Sequence, residues 1–180
     1  ILIVPGHDEE SPGTEFRGLR EVDITAKVGE ELSLFLSADP QYEPILARDH
    51  TGYARQFQEY FKDTALEVRG FVANKRQIME DLNKAGMTHK VTGVIHNATL
   101  SSVVGRLYAI NKWANENHVD IVLHLHFNDY PRRSLHHEGR YNGFAIYVPD
   151  NQFSNSRASR AVAEALFTQF SKFYAESNLP

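Results

Sequence analysis

The stretch ILIVPGHDEESPGTEFRGLREVD, residues 1–23, decides the fold, because it holds a short strand, a loop and the start of a helix. Residues 1–4 form a continuous apolar run that Pro5-Gly6 ends, which predicts a buried strand followed by a loop. From Glu21 onward, apolar residues recur at helical spacing until Asp39-Pro40 ends the pattern. The predicted buried face of this helix consists of Ile24, Val28, Leu32 and Phe35.

The rest of the chain continues this alternation of strands and helices. Residues 42–49, YEPILARD, predict a second strand, and strand–helix–strand at this spacing favours parallel pairing. Later strands are predicted over residues 119–129, VDIVLHLHFND, and over residues 142–149, NGFAIYVP. Further helices are predicted over residues 53–61, 75–86, 101–118 and 155–176. The pattern indicates a single α/β domain over residues 1–180, with a mostly parallel twisted sheet flanked by helices.

The composition argues against several classes of function. The 180 residues carry a formal net charge of -4 at pH 7 and no run of lysine or arginine, so nucleic acid is not an expected partner. No window of the sequence approaches a run of about twenty apolar residues, the length that a membrane span requires. The apolar strand at the start does not resemble a signal peptide. Cysteine is absent, which rules out disulfides and thiolate metal ligands, while nine histidines invite a search for other ligands.

Three candidate metal ligands lie at the ends of predicted elements. His7 follows the first strand, Glu21 occupies the first turn of the first helix, and His126 lies near the end of the strand over residues 119–129. Because ligands in open α/β sheets bind outside the carboxyl ends of the strands, all three can converge there. A catalytic zinc usually takes three protein ligands of these types and keeps one position for water. Each residue alone also has an ordinary role, as a loop histidine, a first-turn acid or a hydrogen-bonded strand histidine.

These positions together carry a resemblance to a known family. The motifs Pro5-Gly6-His7, Pro12-Gly13 and Glu21-Val22-Asp23 resemble the opening of the zinc-dependent N-acetylmuramoyl-L-alanine amidases of the amidase-3 family. The later segment VDIVLHLHFNDY is similar to the family's strand that ends in Ser-Ile-His-Ala-Asn, with His126 and Asn128 in the places of its histidine and asparagine. The resemblance extends from residue 1 to about residue 176 and leaves the middle of the chain unmatched.

The resemblance implies an enzyme with one Zn²⁺ ion at the strand carboxyl ends, held by His7, Glu21 and His126. The implied reaction is hydrolysis of the amide between N-acetylmuramic acid and L-alanine in peptidoglycan. The implied partners are therefore the stem peptide and the glycan, and the implied location is the cell envelope or the outside of the cell. Asn128 and Asp8 are further candidates, for substrate binding or for orienting the ligands. Asp8 stands where the family usually has glycine, and it is either an acceptor that orients His7 or a solvated loop acid.

Two departures from the family pattern lead to further expectations. Residues 51–100 exceed the length that the family usually needs, so we expect an inserted cap beside the cleft. The family's general base is a glutamate on a last strand after the final helix. No such strand precedes Pro180, so the general base and the last strand are expected beyond Pro180. Glu138, next to His136 and His137, is a minor alternative for the base.

Three functions stay open at this point. The first is a zinc-dependent peptidoglycan amidase. The second is an amidase-like module that has lost its base and binds cell-wall fragments or a regulator. The third is a zinc peptidase that acts on another amide, with the same metal chemistry. A glutamate on one further strand beyond Pro180 would favour an enzyme over the binding module.

Overall fold

The computed structural model describes residues 1–89, 101–127, 137 and 139–178. In chain order, its elements are β1 (Leu2–Pro5), β2 (Glu15–Phe16), β3 (Leu19–Arg20), α1 (Glu21–Ser37), β4 (Ile45–Leu46), β5 (Arg48–Asp49), β6 (Gly52–Tyr53), α2 (Arg55–Asp63), α3 (Ala65–Lys84), α4 (Ser101–Glu116), β7 (Val122–Leu125) and α5 (Ser156–Phe170). Among these helices, none has an apolar stretch long enough to cross a bilayer. The chain forms two compact units, Ile1–Asp81 with Gly93–Asn128 and Leu82–Thr92 with Asp129–Pro180.

The first unit is built on a three-stranded sheet in the order β4–β1–β7, in which both pairs of neighbours are parallel. In the central strand β1, Leu2 pairs with Ile45 on one side and with Val122 on the other. All four residues of β1 are buried, which explains why the strand is continuously apolar instead of alternating. The short pairs β2–β3 and β5–β6 are antiparallel. The predicted α/β class with a parallel sheet is therefore confirmed, and the sheet is small.

Two helices cover one face of β1. Leu2 and Val4, which point to the same side of the strand, belong to one buried cluster. The cluster also contains Phe57 of α2 and Ile110 and Ala114 of α4. Ala47 belongs to the same cluster, so apolar side chains from four separate segments form this core.

Helix α1 covers the opposite face through small residues, so the predicted apolar face is wrong. The buried positions of α1 are Glu21, Val22, Thr25, Ala26 and Gly29. At Gly29 the helix approaches β1 so closely that a Cβ atom would lie 2.7 Å from Pro5 Cγ. None of the predicted face is fully buried: Ile24 and Leu32 are half-buried, Val28 is 39% exposed and Phe35 is 77% exposed. The close approach of helix and strand selects small side chains at the contact instead of the bulky apolar ones.

Part of the segment over residues 51–100 contributes to the core. Helix α2 supplies Phe57, which is fully buried and whose ring centroid lies 4.8 Å from that of Trp113. Helix α3 begins at Ala65, well before the start predicted at residue 75. Residues 90–100 lie outside the described part of the chain, and the role of the segment as an inserted cap stays a prediction. A deletion that tests the cap must therefore leave α2 in place.

The second unit contains α5, which confirms the central part of the last predicted helix. The strand predicted over residues 142–149 is wrong, since within this stretch Phe144 forms only an isolated parallel bridge with Glu176. Beside this bridge, Gly143 has a φ of 88°, and a Cβ atom there would lie 2.6 Å from the backbone carbonyl carbon of Glu176, so the close approach requires glycine. The Phe144 ring instead packs on α5, with its centroid 5.3 Å from that of Phe167.

Candidate metal centre

Strand β1 places His7 at the carboxyl edge of the sheet. Directly after the strand, the Gly6 N–H donates to the Leu125 carbonyl oxygen at 2.8 Å, which keeps the chain beside β7. A Cβ atom at Gly6 would lie 2.6 Å from His126 Nδ1, so this close approach requires glycine. His7 then adopts a φ of 68°, in the left-handed region. The imidazole rings of His7 and His126 lie edge to face, with centroids 5.1 Å apart.

Glu21, the first residue of α1, lies between the two histidines. Its side chain is only 2% exposed. Its Oε2 lies 3.2 Å from His7 Nε2 and accepts a hydrogen bond from the Thr14 N–H at 3.0 Å. Its Oε1 lies 3.2 Å from His126 Nδ1 and accepts a hydrogen bond from the Phe127 N–H at 2.8 Å. Each carboxylate oxygen therefore faces one imidazole nitrogen and one backbone donor, which fixes the carboxylate between the rings.

These contacts keep Glu21 ionised. Burial alone would raise the pKa of its carboxyl group, but hydrogen bonds from His126, His7 and the two backbone N–H groups together outweigh burial and hold the pKa well below its usual range. The hydrogen bond to Glu21 also raises the pKa of His7, against the opposing effect of burial. The N-terminal turn of α1 further favours a negative charge through the helix dipole. The site thus presents a permanent negative charge between two imidazoles.

A backbone carbonyl group sets the tautomer of His7. Its Nδ1 lies 3.0 Å from the Ser11 carbonyl oxygen, which can only accept a hydrogen bond. Nδ1 therefore carries a proton, and in the neutral ring Nε2 offers its lone pair on the side of Glu21. His126 approaches the same carboxylate with Nδ1, and its side chain is 40% exposed, so the cluster opens to solvent on this side.

This donor set fits a zinc ion. One ligand atom from each of His7, Glu21 and His126 lies within 4.8 Å of the others. His7 Nε2 lies 3.2 Å from Glu21 Oε2, and His126 Nδ1 lies 3.2 Å from the other oxygen, Oε1. Each distance is close to the about 3.3 Å between two ligand atoms of a tetrahedral zinc with bonds of about 2.0–2.1 Å. Two imidazoles and one carboxylate are also typical ligands of a catalytic zinc, which keeps a further position open.

Backbone groups close the loop between His7 and α1. The Glu21 N–H donates to the Thr14 carbonyl oxygen at 2.7 Å, in place of a side-chain cap. Gly13 has a φ of 80°, and a Cβ atom there would lie 2.6 Å from Glu21 Oε2 and 2.7 Å from His7 Cδ2. The glycine of the Pro12-Gly13 motif is therefore required by the space that the two candidate ligands occupy.

Gly13→Ala should weaken zinc binding more than Gly18→Ala. Both glycines have a φ of 80°, so alanine is strained by about 1–2 kcal/mol at either position. Only at Gly13 would the new Cβ atom meet the ligands, because no described atom lies within 4 Å of one at Gly18. We expect both variants to be less stable in urea, and only Gly13→Ala to lose about tenfold or more in zinc affinity in a competition titration. Equal zinc affinities would contradict this steric role.

A second group of possible ligands lies on the surface of the first unit. Glu30, Asp49 and His50 each place one ligand atom within 4.8 Å of the others. Glu30 Oε1 accepts from the His50 N–H at 2.8 Å and lies 2.7 Å from its Nδ1. Asp49 Oδ1 accepts from the Thr51 N–H at 2.7 Å. Because these atoms have partners and His50 is 74% exposed, we interpret the group as a surface hydrogen-bonded cluster.

A buried arginine joins the elements that carry His7 and Glu21. Arg48 is 3% exposed. Its Nη2 donates to the carbonyl oxygens of Gly6 and Val22, at 2.7 and 2.9 Å, and to Thr25 Oγ1 at 2.8 Å. Burial lowers the pKa of its guanidinium group, but the guanidinium stays charged because an arginine begins from so high a value. One cation thereby ties the end of β1 to the first turns of α1.

The structure brings His7, Glu21 and His126 together and places the other candidates as follows. The Asp8 side chain is 12% exposed and ion-paired, so it is not a solvated loop acid. The acceptor that contacts the His7 ring is the Ser11 carbonyl oxygen. Asn128 and Glu138 lie outside the described residues. The backbone groups at Ser11, Thr14 and Phe127 have no signal in the sequence, because every residue except proline carries the same groups.

Comparison with known proteins identifies a family. A family model described as amidase-3, N-acetylmuramoyl-L-alanine amidase, matches residues 1–178. Among curated proteins and solved structures, none matches the chain. The match covers nearly the whole chain, includes all three members of the cluster, and confirms the resemblance that the sequence motifs indicate.

Proposed function

Because the chain belongs to the amidase-3 family of N-acetylmuramoyl-L-alanine amidases, we propose that it is a zinc enzyme that hydrolyses the amide between N-acetylmuramic acid and L-alanine in peptidoglycan. His7, Glu21 and His126 would hold the zinc ion. The observation that carries the proposal is the convergence of these side chains, whose ligand atoms lie within 4.8 Å of one another. They come from a strand end, a helix start and a second strand end, so their meeting is a property of the fold.

The chain's own residues would orient the site. When bound, a zinc ion here would supply a Lewis acid that activates water and polarises the scissile carbonyl group. The Ser11 carbonyl group keeps His7 Nε2 available as a ligand atom, and the N–H groups of Thr14 and Phe127 prevent the Glu21 carboxylate from turning. Substrate would approach on the side of His126, where the cluster is open to solvent.

Glu21 is assigned to metal binding and not to proton transfer. Hydrolysis needs a group that accepts a proton from water and donates it to the leaving amine, and its pKa must lie near the working pH. The pKa of Glu21 is held far below its usual range, because its hydrogen bonds outweigh the effect of burial. Glu21 is therefore ionised at neutral pH. The family's glutamate on a strand after the final helix is retained as the expected general base.

The proposed substrate determines the proposed partners and location. Hydrolysis of this amide requires that the enzyme contact both the stem peptide and the glycan of peptidoglycan. These polymers lie in the cell envelope, so the proposed site of action is the envelope or the outside of the cell. This location follows from the reaction and the family, and not from a targeting motif.

Digestion of purified peptidoglycan tests the proposal. Metal-free protein, zinc-reloaded protein and zinc-reloaded protein with chelator are incubated separately, and the released stems are analysed by mass spectrometry. We expect stems with a free L-alanine amine from the zinc-reloaded sample alone. Cleavage within the stem peptide would show that the enzyme hydrolyses a different amide from the proposed one. No release by the zinc-loaded full-length protein would refute the proposal that the protein is an amidase.

The zinc affinity should decrease as the pH falls. Imidazole must lose its proton to bind zinc, and the hydrogen bond to Glu21 raises the pKa of His7 above its ordinary 6.5 in the metal-free protein. Protons therefore compete with zinc at a higher pH than they would at a free imidazole. We expect the affinity to fall about tenfold per pH unit below the pKa for each histidine that is protonated. The check is a competition titration for zinc over a pH series that brackets 6.5. A zinc affinity that stayed constant over this series would contradict this role of His7.

A further inference from the structure

We propose that Arg106 and Tyr53 are positioning residues for the zinc site. They hold the carboxylate of Asp8, and thereby the turn over residues 8–11 that orients His7 toward the metal ion. The inference rests on the proposed zinc function and extends it to two residues outside the sequence motifs quoted above. Arg106 lies on α4 and Tyr53 on β6, so both reach the turn from elements distant in the sequence.

Asp8 organises the turn that follows His7. Its Oδ1 accepts hydrogen bonds from the Glu10 N–H at 3.1 Å and from the Ser11 N–H at 3.0 Å. The Ser11 N–H also donates to the Asp8 carbonyl oxygen at 3.1 Å, which closes the turn. The closed turn aims the Ser11 carbonyl oxygen at His7 Nδ1, 3.0 Å away. Asp8 thus acts on the His7 ring through the backbone of Ser11.

The other oxygen of Asp8 is held from outside the turn. Asp8 Oδ2 lies 2.8 Å from Arg106 Nη2 and accepts a hydrogen bond from the Tyr53 O–H at 3.2 Å. The same Arg106 nitrogen lies 2.7 Å from Glu10 Oε2, so one guanidinium group forms ion pairs with both acids of the turn. The side chains of Asp8 and Arg106 are 12% and 21% exposed. Water and salt therefore screen this ion pair less than they screen a pair on the open surface.

His7 needs such support because its backbone conformation is unfavourable. Its φ of 68° is uncommon for a residue with a Cβ atom, and such a conformation persists only where the surroundings enforce it. If the turn loosens, Nδ1 loses its acceptor and the residue can leave the left-handed region. Nε2 would then move away from Glu21, from which it is 3.2 Å distant. Partners that orient a metal-binding histidine in this way typically change metal affinity about 10–100-fold.

Zinc affinities of a set of variants test the assignment. Arg106→Met keeps a long side chain and removes its charge, whereas Tyr53→Phe removes one hydroxyl group. We expect the zinc Kd, measured by competition with a chromogenic chelator, to rise about 10–100-fold for Arg106→Met and less for Tyr53→Phe, with one ion bound per chain throughout. Arg106→Lys keeps a charge that can reach Asp8 and should recover part of the loss.

Lys112→Met is the matched control on the same helix. Lys112 forms ion pairs with Glu116 and Glu67, not with the turn at Asp8. Its removal should lower stability slightly and leave the zinc Kd unchanged. Thermal melting of the metal-free variants shows that each is folded under the conditions of the titration. An equal loss of zinc affinity in Lys112→Met and Arg106→Met would overturn the assignment, because the effect would then be general destabilisation of α4.

A double-mutant cycle tests whether Arg106 acts through Asp8. If it does, adding Arg106→Met to Asp8→Asn should weaken zinc binding no further than Asp8→Asn alone. Independent, multiplicative losses would overturn the proposed route. Equal zinc affinity of the wild type and Arg106→Met would overturn the assignment alone, whereas a wild-type protein that binds no zinc would overturn the zinc function and the assignment with it.

Discussion

Replacing His126 with alanine is expected to abolish zinc binding and amidase activity together. The variant keeps only His7 and Glu21, and a catalytic zinc site is built on three protein ligands. The zinc content of the purified protein should therefore fall from one ion per chain to a trace. Cleavage of peptidoglycan should fall about 10³-fold or more, because a Lewis acid contributes several kcal/mol to lowering the barrier.

His50→Ala is the matched control for this prediction. His50 also contacts a carboxylate within a group of possible ligands, but on the exposed surface. We expect one zinc ion per chain and full activity in this variant. Stoichiometric zinc in His126→Ala would contradict the ligand assignment. Loss of an ion from His50→Ala would show that the surface cluster, and not the buried one, binds the metal.

Arg48→Met is expected to cause the largest loss of stability. Arg48 donates to the carbonyl oxygens of Pro5, Gly6 and Val22, and the methionine side chain would donate to none of them. A buried acceptor that loses its donor costs about 1–3 kcal/mol. Thr25 can still donate to the Gly6 carbonyl oxygen, so two acceptors lose their donor. We therefore expect a loss of about 2–4 kcal/mol in the free energy of unfolding. Urea unfolding of the metal-free protein measures this loss.

Arg55→Met provides the comparison for Arg48→Met. Arg55 is 90% exposed and forms an ion pair with Glu59 one helical turn away. Such surface pairs contribute at most about 1 kcal/mol, so we expect a small change in the free energy of unfolding. Similar changes in the two variants would contradict the bracing role of Arg48. A further fall in zinc affinity in Arg48→Met alone would show that the brace also positions the ligands.

The sequence predicts the elements that carry the candidate ligands because these elements depend on local patterns. The apolar run over residues 1–4 ends at Pro5-Gly6, and the structure ends β1 at Pro5. The helical spacing that begins at Glu21 likewise corresponds to the start of α1. Parallel strands bring their carboxyl ends to one edge, so the meeting of His7 with His126 follows from topology alone.

Packing between elements depends on distances that the sequence does not show. Periodicity measures which side chains are apolar, and it therefore selects the stripe with Phe35 as the buried face of α1. The structure instead buries the face with Gly29, since only small side chains allow α1 to approach Pro5. Arg48 is a charged residue in a predicted strand, where an exposed position is the usual expectation. Its burial follows from three carbonyl groups that two distant segments, the end of β1 and the first turn of α1, bring around it.

The central position of β1 has a consequence for synthesis on the ribosome. Leu2 of β1 pairs with Ile45 of β4 and with Val122 of β7. During synthesis, β4 is therefore made soon after β1, and β7 is made much later. The contact between Glu21 and His126 likewise cannot form until His126 has been synthesised, 105 positions further along the chain. A bound ion is therefore expected to stabilise the finished protein without nucleating its folding. Until β7 leaves the ribosome, an apolar strand has one unpaired edge, and we expect the nascent chain to depend most on chaperones in this interval.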